Sequence, residues 1–168
     1  MIFYMKKINE ENKINEIESF YKISKDILEN KDFLSLKNYC QHGTTSVYDH
    51  SLNVAYLCYL KAKTMKNVDI NSLVRGALLH DFFLYDWHIK RKISKRKGLH
   101  GYTHPLRALI NASKQFSLNQ KEKNIIRSHM WPLTFFHIPL SKEAWIVCYI
   151  DKFCSLKEMQ CKNYKKII

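Results

Sequence analysis

The chain has few residues that interrupt helices and no long apolar run. It contains only four glycines and three prolines in 168 residues, which disfavours a β-fold with many turns and favours long helices. No apolar run approaches the roughly 20 residues that a helix needs to span a bilayer. The amino-terminal sequence MIFYMKKINEEN also lacks the hydrophobic core of a signal peptide. We therefore expect a soluble, cytoplasmic protein that has no membrane partner.

The cysteines do not form the pattern of a disulfide framework. The five of them include no C-x-x-C pair, and their odd number leaves at least one unpaired. A reducing compartment fits this pattern best. Cys58 and Cys148 fall on predicted inward helix faces, where a free thiol packs as a small apolar residue. No cationic surroundings single out one cysteine as a nucleophile, which disfavours cysteine catalysis.

The length of 168 residues suits one domain with a proper core and is short for two. We predict an all-α, single-domain bundle of about six to eight helices. Residues 1–40 would form a helical extension that packs on the bundle, and residues 41–160 would form its core. The last helix is predicted to begin near Ser141, and the predicted N-caps of four earlier helices are Ser46, Asp69, Thr103 and Asn119.

Polar residues interrupt the helix faces that should be buried. The apolar period of about 3.6 residues places His50 among Val47, Val54 and Cys58. Five further polar residues fall on inward faces of successive helices, namely His80, Asp81, His104, His129 and Asp151. Burying one such group without a partner costs several kcal/mol, so six of them need a shared compensation. A metal centre is the simplest one; isolated polar residues, each satisfied by ordinary hydrogen bonds, are the alternative.

The residue types of this cluster indicate which metals it would hold. Imidazole and carboxylate ligands together suit iron, manganese, cobalt, nickel or zinc better than calcium or magnesium alone. We expect a dinuclear site with mixed nitrogen and oxygen ligands. His104 is preferred over its competitor His100, because Thr103 is a suitable N-cap and Pro105 suits a first helical turn.

The order of the candidate ligands resembles that of the HD superfamily of metal-dependent phosphohydrolases, in which a helical bundle presents H…HD…D to a metal. This chain carries His50, then His80 and Asp81, then His104, His129 and Asp151. The two intervening histidines are similar to those of the dinuclear subset of that superfamily. The strings that carry the resemblance are YDHSLNVA, GALLHDFF, YTHPLRALINA, IIRSHMWPLT and YIDKFCS, which together span roughly two-thirds of the chain.

The resemblance implies both a cofactor and a reaction. One divalent transition-metal ion would be held by His50, His80 and Asp151, the other by His104 and His129, and the two would be bridged by Asp81. A hydroxide between the two ions would attack phosphorus while the ions stabilise the equatorial oxygens. The implied function is a phosphohydrolase that cleaves a small phosphoester, nucleotides included.

One catalytic role of the superfamily has no counterpart in this chain. Some members carry a lysine or glutamate four residues after the doublet histidine, where this chain has Leu84. Asp86, two residues further on, is the candidate proton donor to the leaving group. A loop carboxylate without a catalytic role is the alternative interpretation.

Several residues near the predicted centre are candidates for substrate contacts. The net charge is +13, and part of it lies in a basic loop that includes Lys90, Arg91 and Lys92. Such a loop would steer phosphorylated substrates towards the site, and a merely solvated loop is the alternative. His42 and Trp131 are further candidates, the second as a pocket wall. The basic residues lack an aromatic stacking motif, which disfavours nucleic acid as a partner.

Two other functions are compatible with the sequence. Related dinuclear HD proteins use two irons and the same six ligands to activate oxygen, which makes a diiron oxygenase the first alternative. A non-catalytic regulatory module that binds a metal or a nucleotide is the second. Hydrolysis of a small phosphorylated substrate is the leading prediction, and the sequence indicates no oligomeric state.

Overall fold

The computed structural model describes residues 2–89 and 99–160, which are mostly helical. The helices of these residues are α1 (Ile2–Leu28), α2 (Lys31–Ser35), α3 (Val47–Lys63), α4 (Ile70–Leu79), α5 (His100–Gln115), α6 (Gln120–Ser128) and α7 (Lys142–Gln160). A 3₁₀ turn, Leu36–Asn38, precedes a hairpin of two short strands, β1 (Cys40–His42) and β2 (Thr45–Ser46). The prediction of an all-α bundle is confirmed. None of the described helices is long and apolar enough to cross a membrane.

Helices α3, α4, α6 and α7 pack around the main core. Helix α3 packs against α4 and α7, helix α6 packs against the same two helices, and α5 packs against α6. The inward faces expected from the helical period are buried, as shown by Val47, Val54, Leu73, Ala77, Ile125 and Val147, all 0% exposed. Removal of these side chains from water is the main force that holds the bundle together. Residues from each helix can therefore meet in one interior.

The amino-terminal helix α1 packs against α4. Its side chains Phe20 and Ile27 are buried and belong to the same hydrophobic core as the bundle. Helix α1 thus contributes to the core of the bundle. The division of the chain into an extension (1–40) and a core (41–160) stays a prediction.

Helices α4 and α6 approach each other closely at Gly76. A Cβ atom at this position would lie between 2.7 and 2.9 Å from side-chain atoms of Ile125. The lack of a side chain therefore permits the close packing of the two helices. His80 directly follows α4 and His129 directly follows α6, so this contact helps to bring the two histidines together.

Three of the four predicted N-caps are confirmed. Ser46 caps α3 and Asp69 caps α4, each through a side-chain oxygen that accepts a backbone N–H. Asn119 forms a capping box with Glu122 at the start of α6. Ser141 directly precedes α7, as predicted. Local side-chain chemistry thus fixes where these helices begin.

The fourth predicted cap, Thr103, is wrong because α5 begins earlier, at His100. The N-cap position is occupied by Leu99, whose side chain makes no cap bond. The hydroxyl of Thr103 donates to the Leu99 carbonyl oxygen at 2.9 Å, so Thr103 satisfies a helix carbonyl rather than a helix N–H. Pro105 accordingly lies inside the helix and not in its first turn.

The small hairpin was not expected from the sequence. Gly43 adopts a φ of +57°, a left-handed conformation that glycine tolerates well. The chain therefore reverses direction between β1 and β2, which pair antiparallel. Strand β1 contacts both α3 and α7, and this places Gln41 and His42 beside the interior of the bundle.

Candidate metal centre

The six predicted ligands come together in the interior of the bundle. His50 lies in the first half of α3, His104 near the start of α5 and Asp151 midway along α7, while the remaining three lie just after α4 and α6. All six are buried, with at most 5% of any of them exposed to solvent. Five helical segments thus contribute side chains to one cluster.

Asp81 lies at the centre of this cluster. Its Oδ1 atom is 3.1 Å from the Nε2 atom of His104 and 3.5 Å from that of His129. Its Oδ2 atom is 3.4 Å from the Nε2 atom of His80 and 3.9 Å from that of His50. The two carboxylate oxygens therefore face two different pairs of imidazoles, an arrangement that suits a bridging carboxylate.

Asp151 completes the cluster on the side of His50 and His80. Its Oδ1 atom is 3.1 Å from the Nε2 atom of His50 and 3.6 Å from that of His80. The cluster contains three overlapping groups whose ligand atoms are close enough to hold an ion: His50, His80 and Asp81; His80, His129 and Asp151; and Asp81, His104 and His129. The overlap agrees with more than one ion and also permits other partitions of the ligands.

The outer ring nitrogen of each histidine is held by an acceptor. The Nδ1 atoms of His80, His104 and His129 lie 2.7, 2.9 and 2.9 Å from the backbone oxygens of Ala77, His100 and Ile126. A carbonyl oxygen only accepts, so each Nδ1 must carry the proton. Each Nε2 atom then presents its lone pair to the cluster, the orientation found in metal-binding histidines.

The fourth histidine, His50, is held by a carboxylate instead. Its Nδ1 atom lies 3.1 and 3.0 Å from the two carboxylate oxygens of Glu158, which is 2% exposed. A carboxylate partner on the outer nitrogen fixes the ring and increases the basicity of the inner nitrogen. Glu158 therefore supports His50 without itself facing the other ligands.

The inner nitrogens of His80, His104 and His129 lack the hydrogen-bond donors that they would need in a purely structural core. The Nε2 atoms of His104 and His129 lie 2.8 Å apart, where two lone pairs repel unless a positive charge binds both. Burial lowers the pKa of His129 to about 3, so a proton is poorly retained there. The Nε2 atom of His80 and the Oδ1 atom of Asp81 are buried without a hydrogen-bond partner among the described residues. This donor set fits a divalent transition-metal ion.

The electrostatics of the cluster favour positive charge at its centre. Burial alone would lower the pKa of His50, but hydrogen bonds to Asp151 and Glu158 raise it to about 9. Burial alone would raise the pKa of Asp81, but the neighbouring imidazole of His80 holds it well below its usual range. The buried carboxylates therefore attract a compensating positive charge, which either protons or metal ions can supply.

A cavity of about 520 Å³ opens onto the cluster. It reaches Asp81, His104, His129 and Asp151, and its polar wall includes Gln41, His42 and Lys152. Its apolar wall includes Trp87, Met130, Pro132 and Leu133. A cavity of this volume accommodates a small organic ligand next to the candidate ligands.

The predicted substrate residues are distributed unevenly around this cavity. His42 lines it, whereas Trp131 and Asp86 are not among its lining residues. Trp131 packs edge to face against Trp145, with ring centroids 4.9 Å apart. The carboxylate of Asp86 accepts the backbone N–H of His88 at 2.8 Å. The three basic-loop residues Lys90, Arg91 and Lys92 lie outside the described residues.

His100, the sequence competitor of His104, lies next to the cluster rather than among its donor atoms. Its backbone oxygen accepts from His104, and its ring is stacked on the rings of both His104 and Trp87, with centroids 4.5 and 4.9 Å away. The Nδ1 atom of His100 lies 2.9 Å from the hydroxyl of Tyr85. His100 therefore belongs to the wall that supports His104.

The sequence-based prediction did not include three residues that the structure places at the site. Glu158 lies seven residues after Asp151, on the same inward face of α7, so the helical period could have revealed it. Gln41 donates to the Oδ2 atom of Asp81 at 2.7 Å, but no periodic pattern marks a residue of a short hairpin. Lys152 donates from Nζ to the His129 carbonyl oxygen at 2.9 Å, a contact that only the three-dimensional packing defines.

The comparison with protein families agrees with this geometry. The HD domain family model matches residues 47–156, more than half of the chain, and this range includes all six candidate ligands. No curated protein and no solved structure matches the chain. HD domains bind divalent metals, and the family consists mostly of metal-dependent phosphohydrolases. The chain therefore belongs to the HD domain family.

Proposed function

We propose that the protein is a dinuclear, metal-dependent phosphohydrolase that cleaves a small phosphoester. The observation that carries the proposal is the cluster around Asp81, in which four histidines direct their Nε2 atoms towards the carboxylates of Asp81 and Asp151. The outer ring nitrogens of the four histidines are already held by acceptors, so their inner nitrogens face the two aspartates and can bind cations. The fold family, most of whose members catalyse this type of reaction, supports the same conclusion.

The proposed ligand assignment follows the distances around the two carboxylates. His50, His80 and Asp151 would hold one ion, His104 and His129 would hold the other, and Asp81 would bridge them. The geometry of Asp81 supports a bridging role, because its two oxygens face different histidine pairs. When bound, two divalent ions would supply an activated water for attack on phosphorus and positive charge for the phosphoryl oxygens.

Residues outside the ligand set would position the substrate and the ligands. The side-chain amide of Gln41 donates to Asp81 and thereby orients this carboxylate. The ammonium group of Lys152 is fixed by the carbonyl oxygens of His129 and Cys148, so a positive charge is held at the cavity wall. This charge favours an anionic substrate. His42 is the candidate for a contact with the leaving group.

The two walls of the cavity indicate the chemical class of the substrate. Phosphate would lie at the cluster, beside the polar wall. The apolar wall of Trp87, Met130, Pro132 and Leu133 would contact the organic part of the molecule. We therefore propose a phosphomonoester with an apolar or aromatic group, a class that includes nucleotides.

The test combines metal analysis with turnover of a panel of phosphomonoesters. The full chain, purified without added metal, is expected to hold about two transition-metal ions and to release phosphate in the absence of oxygen. His80→Ala and Asp81→Ala are each expected to lose at least one ion and most of the turnover, because each removes a ligand. The matched control is His137→Ala, which changes a histidine outside the cavity. This variant should retain the full metal content and the full turnover.

Three outcomes would contradict the proposal. Unchanged metal content in His80→Ala and Asp81→Ala would show that the cluster is not the metal site. Turnover that requires oxygen and iron would identify an oxygenase. Metal or nucleotide binding without phosphate release from any member of the panel would identify a regulatory module.

A further inference from the structure

Exposed apolar side chains are concentrated in the second half of the chain. Among residues 13–89 and 99–160, whose side chains the structure describes, 14 of the 19 large hydrophobic side chains exposed to solvent lie between residues 99 and 160. Single exposed apolar residues are common on protein surfaces and have no special meaning. A dense group of them, by contrast, marks a surface that contacts something other than water.

Six of these residues define a surface that we call the aromatic face. Leu133, Phe135 and Phe136 lie in the loop between α6 and α7, and Trp145, Tyr149 and Phe153 lie on the outer side of α7. The ring contact between Trp131 and Trp145 joins the start of this loop to α7. Exposure is highest for Phe136, at 91%, and for Tyr149, at 73%.

The segment that carries the aromatic face, residues 99–160, exposes basic but no acidic side chains. The four acidic residues between positions 99 and 160 are Glu122, Glu143, Asp151 and Glu158, and every one of them is buried. Lys142 and Lys157 are exposed on α7 together with the aromatic residues. The ammonium group of Lys157 lies 5.7 Å from the ring centroid of Phe153. Residues 99–160 therefore expose aromatic groups and cations but no acidic side chain.

We propose that the aromatic face docks on an anionic membrane surface. Aromatic rings suit the boundary between lipid headgroups and acyl chains, and exposed lysines are attracted to anionic headgroups. A second copy of the chain fits less well, because two such faces would bring cations together. Surface docking needs no spanning helix, so it is compatible with the lack of one among the described residues.

This proposal departs from the expectation of no membrane partner. That expectation was based on the absence of a long apolar run, which concerns spanning and not adsorption to a surface. Leu133 belongs to the aromatic face and also lines the cavity. Docking would therefore bring one wall of the cavity close to the membrane surface.

The test measures co-sedimentation of the full chain with vesicles. Vesicles of phosphatidylcholine containing about one third phosphatidylglycerol are compared with vesicles of phosphatidylcholine alone, at low and high salt. We expect binding to the anionic vesicles that weakens as salt increases. The double variant Phe135→Ser/Phe136→Ser should bind at least about tenfold more weakly, because it removes two of the inserted rings. Tyr149→Ser tests α7 independently of the loop.

The matched control is Ile14→Ser/Ile17→Ser, which removes two exposed apolar side chains from α1. It should bind the anionic vesicles as the unmodified chain does. Absence of vesicle binding, or equal binding by the loop variant, Tyr149→Ser and the control, would overturn the proposal. Self-association that the loop variant abolishes, without vesicle binding, would show instead that the face joins two copies. Circular dichroism confirms that each variant is folded.

Discussion

Substitution of Glu158 tests how far the metal affinity of the candidate centre depends on residues other than the ligands. Glu158 contacts only the outer nitrogen of His50 among the histidines of the cluster. Glu158→Gln keeps the size of the side chain but removes its negative charge. We expect metal affinity to fall about 10- to 100-fold, the usual effect of losing such a partner. Titration of the metal-free protein with Mn²⁺ or Zn²⁺ measures this change.

Asp86→Asn provides the comparison for Glu158→Gln, since it neutralises a carboxylate outside the cavity lining. Metal affinity should remain that of the unmodified protein, because Asp86 contacts His88 and none of the six ligands. An equal loss of metal affinity in both variants would show that metal affinity depends on the total negative charge and not on the bond between Glu158 and His50. Slower turnover by Asp86→Asn with full metal content would support the role of proton donor that the sequence suggested.

Gly76 is expected to be the least replaceable residue in the contact between α4 and α6. A Cβ atom would lie within 2.9 Å of Ile125, so Gly76→Ala forces one helix to move. We expect the free energy of unfolding to fall by about 1–3 kcal/mol, as in other overpacked cores. Urea denaturation measures the effect. Stability equal to or above that of the unmodified chain would show that the two helices can separate easily.

At the scale of single residues, the sequence was most informative where a helix imposes a period. His50, His80 and Asp151 interrupt apolar faces, and the structure places both histidines within hydrogen-bonding or ion-pairing distance of Asp151. Glu158 obeys the same period on α7. Gln41 could not be found in this way, because its position depends on a hairpin that packs across the chain rather than on its neighbours in sequence.

At the scale of helices, Asn119 and Thr103 form a matched pair for testing how much an N-cap contributes to stability. Asn119 accepts the backbone N–H of Glu122 and donates to Ser72, whereas Thr103 only donates to a carbonyl oxygen. Asn119→Ala should therefore reduce the free energy of unfolding by about 1 kcal/mol. Thr103→Ala should change it by less than about 0.5 kcal/mol. Thermal or urea denaturation of the two variants provides the comparison, and a larger loss in Thr103→Ala would contradict it.

The helices were predictable to different degrees for a physical reason. Where a side-chain oxygen caps the first turn, as in Ser46, Asp69 and Asn119, the start of the helix is encoded locally. Helix α5 has no side-chain cap bond, and its first residue cannot be read from a capping pattern. The hairpin was missed because its strands are two and three residues long, too short for an alternating pattern to develop.

At the scale of the whole molecule, the candidate centre joins segments that are far apart in sequence. His50 lies on α3 and Asp151 on α7, 101 residues later, yet their side chains are in contact. Helices α4, α5 and α6 contribute the other ligands at or near their ends. Two cations bound to these segments would connect them in the folded state only. Metal binding and global stability should therefore be linked.

Removal of bound metal with a chelator is accordingly expected to lower the melting temperature of the full chain. An ion present at a thousand times its dissociation constant stabilises the folded state by about 4 kcal/mol. For a chain of this size each kcal/mol corresponds to about 2–4 °C. Differential scanning calorimetry with and without EDTA measures the shift, and adding Mn²⁺ or Zn²⁺ back should reverse it. Asp81→Ala, which lacks the proposed bridging ligand, should show a much smaller shift. An identical melting temperature with and without chelator, in protein shown to contain metal beforehand, would mean that the ions bind outside this buried cluster.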